Sequence, residues 1–374
     1  MSGFMQIAGR SMAIMTLLVA AGCGDETTSS VPAQVSNDVP PGPVSMASYN
    51  GPGSNWEYDL HDDGTYQIIH SALPGMSSDL SVSGDFQFTA QGFVSMTVDA
   101  ASGSDAPSTG SSLWALEIPG FALLLSPVST ADDNFIPMVQ GDQCPNTDLS
   151  NNWINVRATV DGDATSPEGS YFGSLAYRFS DGATSLVSRF ALSNGNPDQG
   201  SESLGNGYCR NGVVKTSTSD IYLSPTGSAT VHVNAADQNG GQIIFALPKT
   251  TISSISGLDG SYAGILSDDG ATAGQKVSPV VVSCSNGICT GDIVTDVDTG
   301  TLAGQPFTVD LSGSVNVPGP GLTTGQLQMN GSTGNIGCMV DENLDNSGQR
   351  IISCAGQSPT RFYRLFSLIL ASND

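Results

Sequence analysis

Short runs of alternating apolar and polar residues dominate the chain beyond residue 48. Three of these runs, 85–100, 218–233 and 306–317, carry apolar side chains at every second position around a turn. A period of two places those side chains on one face of a strand, so each run predicts a β-hairpin. No segment of a dozen residues in this part of the chain combines a 3.6-residue period with capping residues. The pattern therefore predicts an all-β protein with little helix.

Three other runs are more continuously apolar. Residues 112–120 and 241–248 each form an apolar run that closes with a proline, and 361–371 is apolar on both alternating faces. A strand with two apolar faces is stable only when both are covered. We therefore expect 361–371 to lie between two packed layers.

An aromatic residue opens three strands that each end at an Asp-Gly pair. Trp56, Trp153 and Tyr262 are the residues concerned, and they lie 97 and 109 residues apart, which is a usual size for a β-domain. Chance is the alternative, because Asp-Gly turns are frequent in this chain. The positions favour a core anchor in each domain over a sugar-stacking platform. We expect two or three tandem antiparallel β-sandwich or small β-barrel domains, with boundaries at 48–147, 148–253 and 254–374.

Composition supports strands and turns and excludes one class of partner. The chain contains 45 Gly and 20 Pro, and its 35 acidic residues are mostly Asp, a turn residue, instead of Glu, a helix former. Only 11 Lys and Arg oppose them, which gives a formal net charge of −24. A surface this acidic repels phosphate backbones, so we expect no nucleic-acid partner.

The first 22 residues have the pattern of an export signal. Met12–Gly22 is an apolar or small-residue stretch, too short for the roughly 20 residues that span a bilayer. Its end, Ala20-Ala21-Gly22-Cys23, resembles the lipobox of bacterial lipoproteins. The resemblance implies that Cys23 is acylated, for example with palmitate, and becomes the mature N-terminus. Gly24, in place of an inner-membrane-retaining Asp, then implies the outer membrane. An ordinary secretory signal is the alternative.

The next segment, 23–47, has the composition of a tether. It lacks apolar periodicity and contains four prolines together with many serines and acids. Such a segment buries too little apolar surface to fold, so we expect a lipid-anchored disordered linker.

The cysteine count fits an oxidising compartment. Assigning Cys23 to lipid leaves six of the seven cysteines, an even number, so disulfides are the default. One pair follows from local geometry, because Asn286-Gly287 is a strong type I′ turn signal. That turn places Cys284 opposite Cys289, with Cα atoms about 4.5 Å apart and within disulfide range.

The other four cysteines are assigned less directly. Cys338 and Cys354 flank a polar turn region, and we expect them to staple a second hairpin. Cys144 and Cys209 pair by elimination. A zinc site is the alternative, but the spacings match no standard Cys/His zinc pattern.

One candidate metal site follows Cys338. Asp341, Asn343 and Asp345 have the alternating oxygen spacing of a calcium loop, although the glycine at its sixth position and the glutamate at its twelfth are absent. The alternative is a polar hairpin tip without a metal. Calcium is the one cofactor that the sequence suggests.

Catalytic motifs are incomplete. Asp298-Thr299-Gly300 matches the aspartic-protease triplet, but those enzymes need two such carboxylates and no second triplet occurs. No Gly-x-Ser-x-Gly nucleophile turn occurs either. His61, His70 and His232 are dispersed, which favours solvated or half-buried strand residues over catalytic ones. We therefore do not expect an enzyme.

These features together predict an outer-membrane lipoprotein, on the cell surface or the periplasmic face. It would be held in the membrane by its lipid and would display disulfide-stapled β-domains in a structural, adhesive or binding role. The partner would be a protein or a glycan. Two alternatives stay open: a hydrolase of envelope glycan or protein that uses two carboxylates about 5–9 Å apart, and a small apolar ligand inside a barrel.

Overall fold

Alternating burial along successive strands produces three sheets, two of eight strands and one of nine. The computed structural model describes residues 45–51, 56–71, 79–128, 134–141, 143–158, 171–191, 195–197, 201–233, 242–268, 271, 276–344, 347–358 and 365–373. Contacts divide the chain into the units Met1–Gly42 and Pro43–Asp374, and all described residues belong to the second. They include a 3-10 turn at Ile255–Leu258.

The first barrel is a closed antiparallel meander in which every strand pairs with the next, and β1 closes on β8. Its interior is filled by buried side chains, among them Trp56, Tyr58 and Tyr66. Its strands are β1 Ser45–Gly51, β2 Trp56–His61, β3 Thr65–His70, β4 Leu80–Phe88, β5 Phe93–Gly103, β6 Ser112–Ile118, β7 Ala122–Leu125 and β8 Ile136–Gln140.

The second sheet repeats this meander but has no hydrogen-bonded ladder between its described edges, β12 and β13. Those edges still meet, because the Thr216 hydroxyl donates to the Leu204 carbonyl at 2.7 Å. Trp153 lies inside, in a core drawn from all eight strands. The strands are β9 Leu149–Ala158, β10 Tyr171–Arg178, β11 Ala183–Ala191, β12 Glu202–Asn206, β13 Val213–Lys215, β14 Ser219–Leu223, β15 Ala229–Val233 and β16 Gln242–Pro248.

The third barrel is again a meander, closed by pairing of its first and last strands, with one short extra strand, β20, attached to β19. Tyr262 lies in its interior. The strands are β17 Gly260–Asp268, β18 Val277–Ser285, β19 Ile288–Asp296, β20 Thr301–Leu302, β21 Phe307–Asp310, β22 Leu322–Met329, β23 Ser332–Asp341, β24 Ile351–Gln357 and β25 Leu365–Ser372. The all-β, small-barrel prediction is confirmed.

A fourth hydrophobic core is shared by all three sheets. Strand β25 shows how it forms: Leu368 faces the interior of the third barrel, whereas the next residue, Ile369, faces the shared core. Strand β16 does the same with Ile244 inside the second sheet and Phe245 in the shared core. The two-faced strand predicted at 361–371 is therefore confirmed at Leu365–Ser372, and the sheets are packed together instead of strung out separately.

Polar contacts fix the sheets further. The Ser228 hydroxyl donates to the Phe121 carbonyl at 2.6 Å, which joins the second sheet to the first barrel. The Asn152 amide donates to the Pro320 carbonyl at 2.9 Å, which joins the second sheet to the third barrel. These bonds supply directional contacts beside the apolar core.

Two of the three predicted hairpins are confirmed, at β4–β5 and β14–β15, and the one at 306–317 is wrong. The strand that pairs with β21 is β22, which begins only at Leu322, so residues 311–317 do not form the second strand of a hairpin. The Asn316 side chain accepts from the amides of Ile252 (3.3 Å) and Gly321 (2.8 Å) and donates to the Ile252 carbonyl (2.8 Å). Side-chain bonds thus replace a ladder here, and Pro318 has no amide hydrogen to donate to one.

Candidate functional site

The three expected disulfides are present. Cys284–Cys289 and Cys338–Cys354 each join directly opposed residues of neighbouring strands, and all four cysteines are buried in the third barrel. Asn286 and Gly287 have φ values of 50° and 81°, as the type I′ turn requires. The third disulfide, Cys144–Cys209, closes a separation of 65 residues beside the second sheet.

The calcium candidates form part of the β23–β24 turn. Asp341 Oδ1 accepts from the Asn343 amide at 2.9 Å, and Asn343 Oδ1 accepts from the Gly348 amide at 2.7 Å. These oxygens thus order the turn itself, while Asp345 lies outside the described residues. Across the described part of the chain, no three His, Cys, Asp or Glu side chains are grouped to hold a metal ion. A calcium role here stays a prediction.

The Asp-Thr-Gly triplet is a tight turn after β19. Asp296 accepts from the Asp298 amide at 2.9 Å and from the Thr299 hydroxyl at 2.8 Å, which lowers the pKa of the Asp296 carboxyl. Asp298 itself accepts from the Gln87 amide at 3.1 Å, a contact with the first barrel. The triplet therefore has a structural place between two sheets.

The aromatic and histidine residues singled out by sequence lie mostly in cores. Trp56 and Trp153 are buried, as expected for core anchors. The His70 ring packs 4.3 Å from that of Trp56. His61 lies at the end of β2, and the side chain of His232 lies outside the described residues, as do Cys23 and the signal and tether segments before residue 45.

One end of the second sheet exposes two aromatic side chains. Phe179, 51% exposed, lies in the turn after β10, and Tyr208, 78% exposed, follows β12. The two turns touch, because the Gly207 amide donates to the Gly182 carbonyl at 3.2 Å. A Cβ on Gly182 would lie 1.9 Å from the Gly207 carbonyl oxygen, so the close approach requires glycine there. Phe179 and Tyr208, with the turns that carry them, are called the aromatic end below.

Arginine accompanies these aromatics. Arg178 forms a two-pronged pair with Asp181, with Nε 2.7 Å from Oδ1, and this bond lowers the pKa of the Asp181 carboxyl. Arg210 is exposed next to Cys209, whose disulfide to Cys144 ties down the turn that carries Tyr208. The aromatic end is therefore held by an ion pair and a disulfide, with Arg178 directly before Phe179 in the sequence and Arg210 two residues after Tyr208.

A second feature is a cleft of about 390 Å³ between the first and third barrels. Its only carboxylate among the described lining residues is Glu117, on β6. The hydroxyl of fully buried Tyr49 donates to Glu117 Oε1, and burial raises the pKa of Glu117. The lining residues are Phe88, Gly92, Leu116, Glu117, Pro119, Ser347, Gln349, Ala371, Ser372 and Asn373.

Sequence reasoning missed both features. Phe179 stands in the turn sequence Phe-Ser-Asp-Gly, where an apolar residue has no strand face to occupy, and Tyr208 directly precedes a cysteine. An aromatic residue in a turn, and another directly before a cysteine, were the sequence features that could have indicated the aromatic end. Tyr49 and Glu117 are 68 residues apart and meet only because the barrel closes, so no local pattern marks them.

No protein-family model and no curated protein matches the chain. Among solved structures, it is similar to isotype 1 transferrin binding protein B from serogroup B Neisseria meningitidis, with a TM-score of 0.26 and 11% identity over 85% of this chain. The chain spans 65% of the length of that structure. At this TM-score the likeness carries no argument about function.

Among the residues described, none of the helical segments has the length and apolarity needed to cross a bilayer.

Proposed function

We propose that the chain is a lipid-anchored protein of the bacterial outer membrane that binds a partner protein through the aromatic end of its second sheet. Its N-terminal resemblance to lipoproteins supports the anchor at Cys23. Three disulfides support an oxidising compartment, where such bonds persist. The observation that carries the binding role is the exposure of Phe179 and Tyr208 on turns that are in contact.

The composition of this surface suits a protein partner. Tyrosine and arginine are enriched among the residues that dominate binding energy at protein interfaces, and aromatic side chains supply large contact areas at low entropic cost. Phe179 and Tyr208 are large side chains left mainly in water, although the chain buries most of its other aromatics. A partner that covered them would remove that apolar area from water.

The charged side chains at the aromatic end indicate what the contact surface of the partner contains. The whole chain is strongly acidic, and at this end Asp181 pairs with Arg178 while Asp220 lies 4.0 Å from Lys215, so those two charges are offset. Arg210, two residues after Tyr208, is the exposed guanidinium that adds a positive charge there. A local positive group within an acidic protein attracts carboxylates and orients their approach. We therefore expect a partner whose contact surface combines apolar groups with Asp or Glu.

Site-specific photo-crosslinking on intact cells tests the binding role. A photoreactive amino acid is placed at Tyr208, at Phe179 and, as a matched control, at Gln326, which is exposed on β22 of the third barrel. We expect a covalent adduct of one discrete mass from the first two positions and none from the third. Absence of an adduct at both aromatic positions, or an equal adduct at Gln326, would contradict the proposal.

The anchor is tested separately. Replacing Cys23 with serine removes the sulfur to which the acyl chains attach, and an unlipidated body has nothing to hold it to the bilayer. We expect the variant to leave the membrane fraction, whereas the wild-type chain stays there. Retention of the serine variant in the membrane fraction would rule out this anchor.

The two alternative functions receive less support from the geometry. A glycosidase needs a second carboxylate across its cleft, and among the described residues lining the cleft Glu117 stands alone. The interior of the first barrel is filled by Tyr49, Tyr58, Tyr66 and their neighbours, as is usual for eight strands. Neither observation favours a hydrolase or an apolar ligand inside that barrel.

A further inference from the structure

The cleft at Glu117 combines an apolar floor with polar walls. Leu116 and Ala371 close its apolar floor from the shared core, and the exposed ring of Phe88 supplies its accessible apolar surface. Neutral side chains, including Ser347, Gln349 and Asn373, line the side that belongs to the third barrel. A volume of about 390 Å³ falls within the range of small-molecule sites, roughly 300–1,000 Å³.

Glu117 supplies the only ionisable group among these lining residues. One of its oxygens accepts from Tyr49, but a carboxylate has two oxygens and about four acceptor positions. Tyr49 and Tyr58, the groups nearest to it inside the barrel, are neutral phenols whose pKa values burial raises. They can solvate the carboxylate but cannot neutralise it.

The first barrel contains no Lys or Arg that could neutralise the Glu117 carboxylate. Residues 45–140 contain 11 Asp and Glu residues and no Lys or Arg. The nearest cation in sequence on the opposite wall is Arg350, beside Gln349. Its guanidinium group packs against Gly260, where an added Cβ would lie 2.4 Å from Nη2. A single carboxylate that is partly withdrawn from water attracts a cation more strongly than a carboxylate in open solvent does.

An aromatic side chain stands at the rim of the same cleft. Phe88 is 56% exposed, and its ring lies 5.6 Å from that of Phe86 in an edge-on arrangement. A ring held in place with much of its surface open can contact a cation or an apolar group of a ligand.

From these observations we propose that the cleft is a binding site for a small organic amine. The ammonium group pairs with the Glu117 carboxylate, and the apolar body lies against the exposed ring of Phe88. A neutral ligand of the same shape loses the ionic bond, and an anion is repelled. The site is independent of the aromatic end, which lies on the second sheet.

Three probes of similar shape and different charge test the site. Phenethylamine, 2-phenylethanol and 3-phenylpropionate are titrated into the purified full-length protein and followed by ligand-observed NMR. We expect saturable binding of the amine, at least tenfold weaker binding of the alcohol, and none of the carboxylate. A wild-type protein that does not bind the amine, or that binds all three alike, would overturn the proposal.

Variants assign the binding to the cleft. Glu117→Gln and Phe88→Ala should each weaken amine binding, the first by tenfold or more. Asp105→Asn removes the same charge from an exposed site on the first barrel, and Phe179→Ala removes an exposed ring outside the cleft, so both should bind as wild type. Undiminished binding by Glu117→Gln, or equal loss in Asp105→Asn, would refute the assignment. Phe88 is exposed, so we expect Phe88→Ala to fold normally. If Glu117→Gln does not fold, undiminished amine binding by Phe88→Ala would still refute the assignment.

Discussion

The shared core predicts that truncating either of two neighbouring residues on one strand lowers the free energy of unfolding by a similar amount. Leu368 and Ile369 point to opposite faces of β25, and both are fully buried, the first inside the third barrel and the second in the core common to all three sheets. Burying such a side chain stabilises a protein by about 1.5–3 kcal/mol. Truncation to alanine also leaves a cavity, so each change should cost about 2–5 kcal/mol.

The measurement is denaturant unfolding of Leu368→Ala, Ile369→Ala and the double variant, followed by far-UV circular dichroism. Leu302→Ala, at a half-exposed position on β20, is the control and should change the free energy of unfolding by no more than about 0.5 kcal/mol. Because the two residues lie on opposite faces, their effects should be nearly additive. An Ile369→Ala variant as stable as the control would refute the shared core, because it would place that residue in solvent.

Further predictions concern the disulfide beside the aromatic end, Glu117 and Asn316. Cys144 and Cys209 close a separation of 65 residues, so replacing both with alanine should lower the free energy of unfolding by about 4 kcal/mol in the chain-entropy account, and a loss near zero would count against it. Burial raises the pKa of Glu117, so the folded protein binds a proton at this group more tightly than the unfolded chain does. The resulting stabilisation is fully present below the ordinary carboxyl pKa and is lost as pH rises through the pKa of the folded state. Between about pH 4 and pH 7 the thermal midpoint of Glu117→Gln should therefore gain on that of wild type as pH rises, and a constant difference would contradict the shift. Asn316→Ala should cost about 2 kcal/mol from lost hydrogen bonds, well above Asn330→Ala, which has a similar φ of 51° on an exposed turn; equal losses would show that those bonds do not matter.

Sequence alone predicted the features that depend on local chemistry. The alternation of apolar and polar residues with a period of two predicted the strands. The Asn286-Gly287 turn predicted that Cys284 lies opposite Cys289, because a two-residue loop fixes the register of its hairpin. The two-faced apolar pattern near the C-terminus gave a strand covered on both sides. Each of these depends on fewer than about a dozen consecutive residues.

Features that depend on closure and packing could not be predicted in this way. Alternation shows which side chains of a strand are buried but not whether they meet a barrel interior or a neighbouring sheet, as Leu368 and Ile369 illustrate. The contact between Tyr49 and Glu117 requires β1 and β6 to lie in one barrel. At 306–317 the alternation was genuine, but Asn316 holds the backbone away from a ladder.

The proposed role at the outer membrane depends on three properties of the chain: its export, its anchor at Cys23 and its three disulfides. Intact mass spectrometry of the mature protein from its native host, before and after reduction, tests them together. We expect a chain that begins at Cys23, carries the added mass of acyl chains, and gains six hydrogens on full reduction. A chain that retains its first 22 residues, or whose six remaining cysteines are already free thiols, would rule out the proposed role.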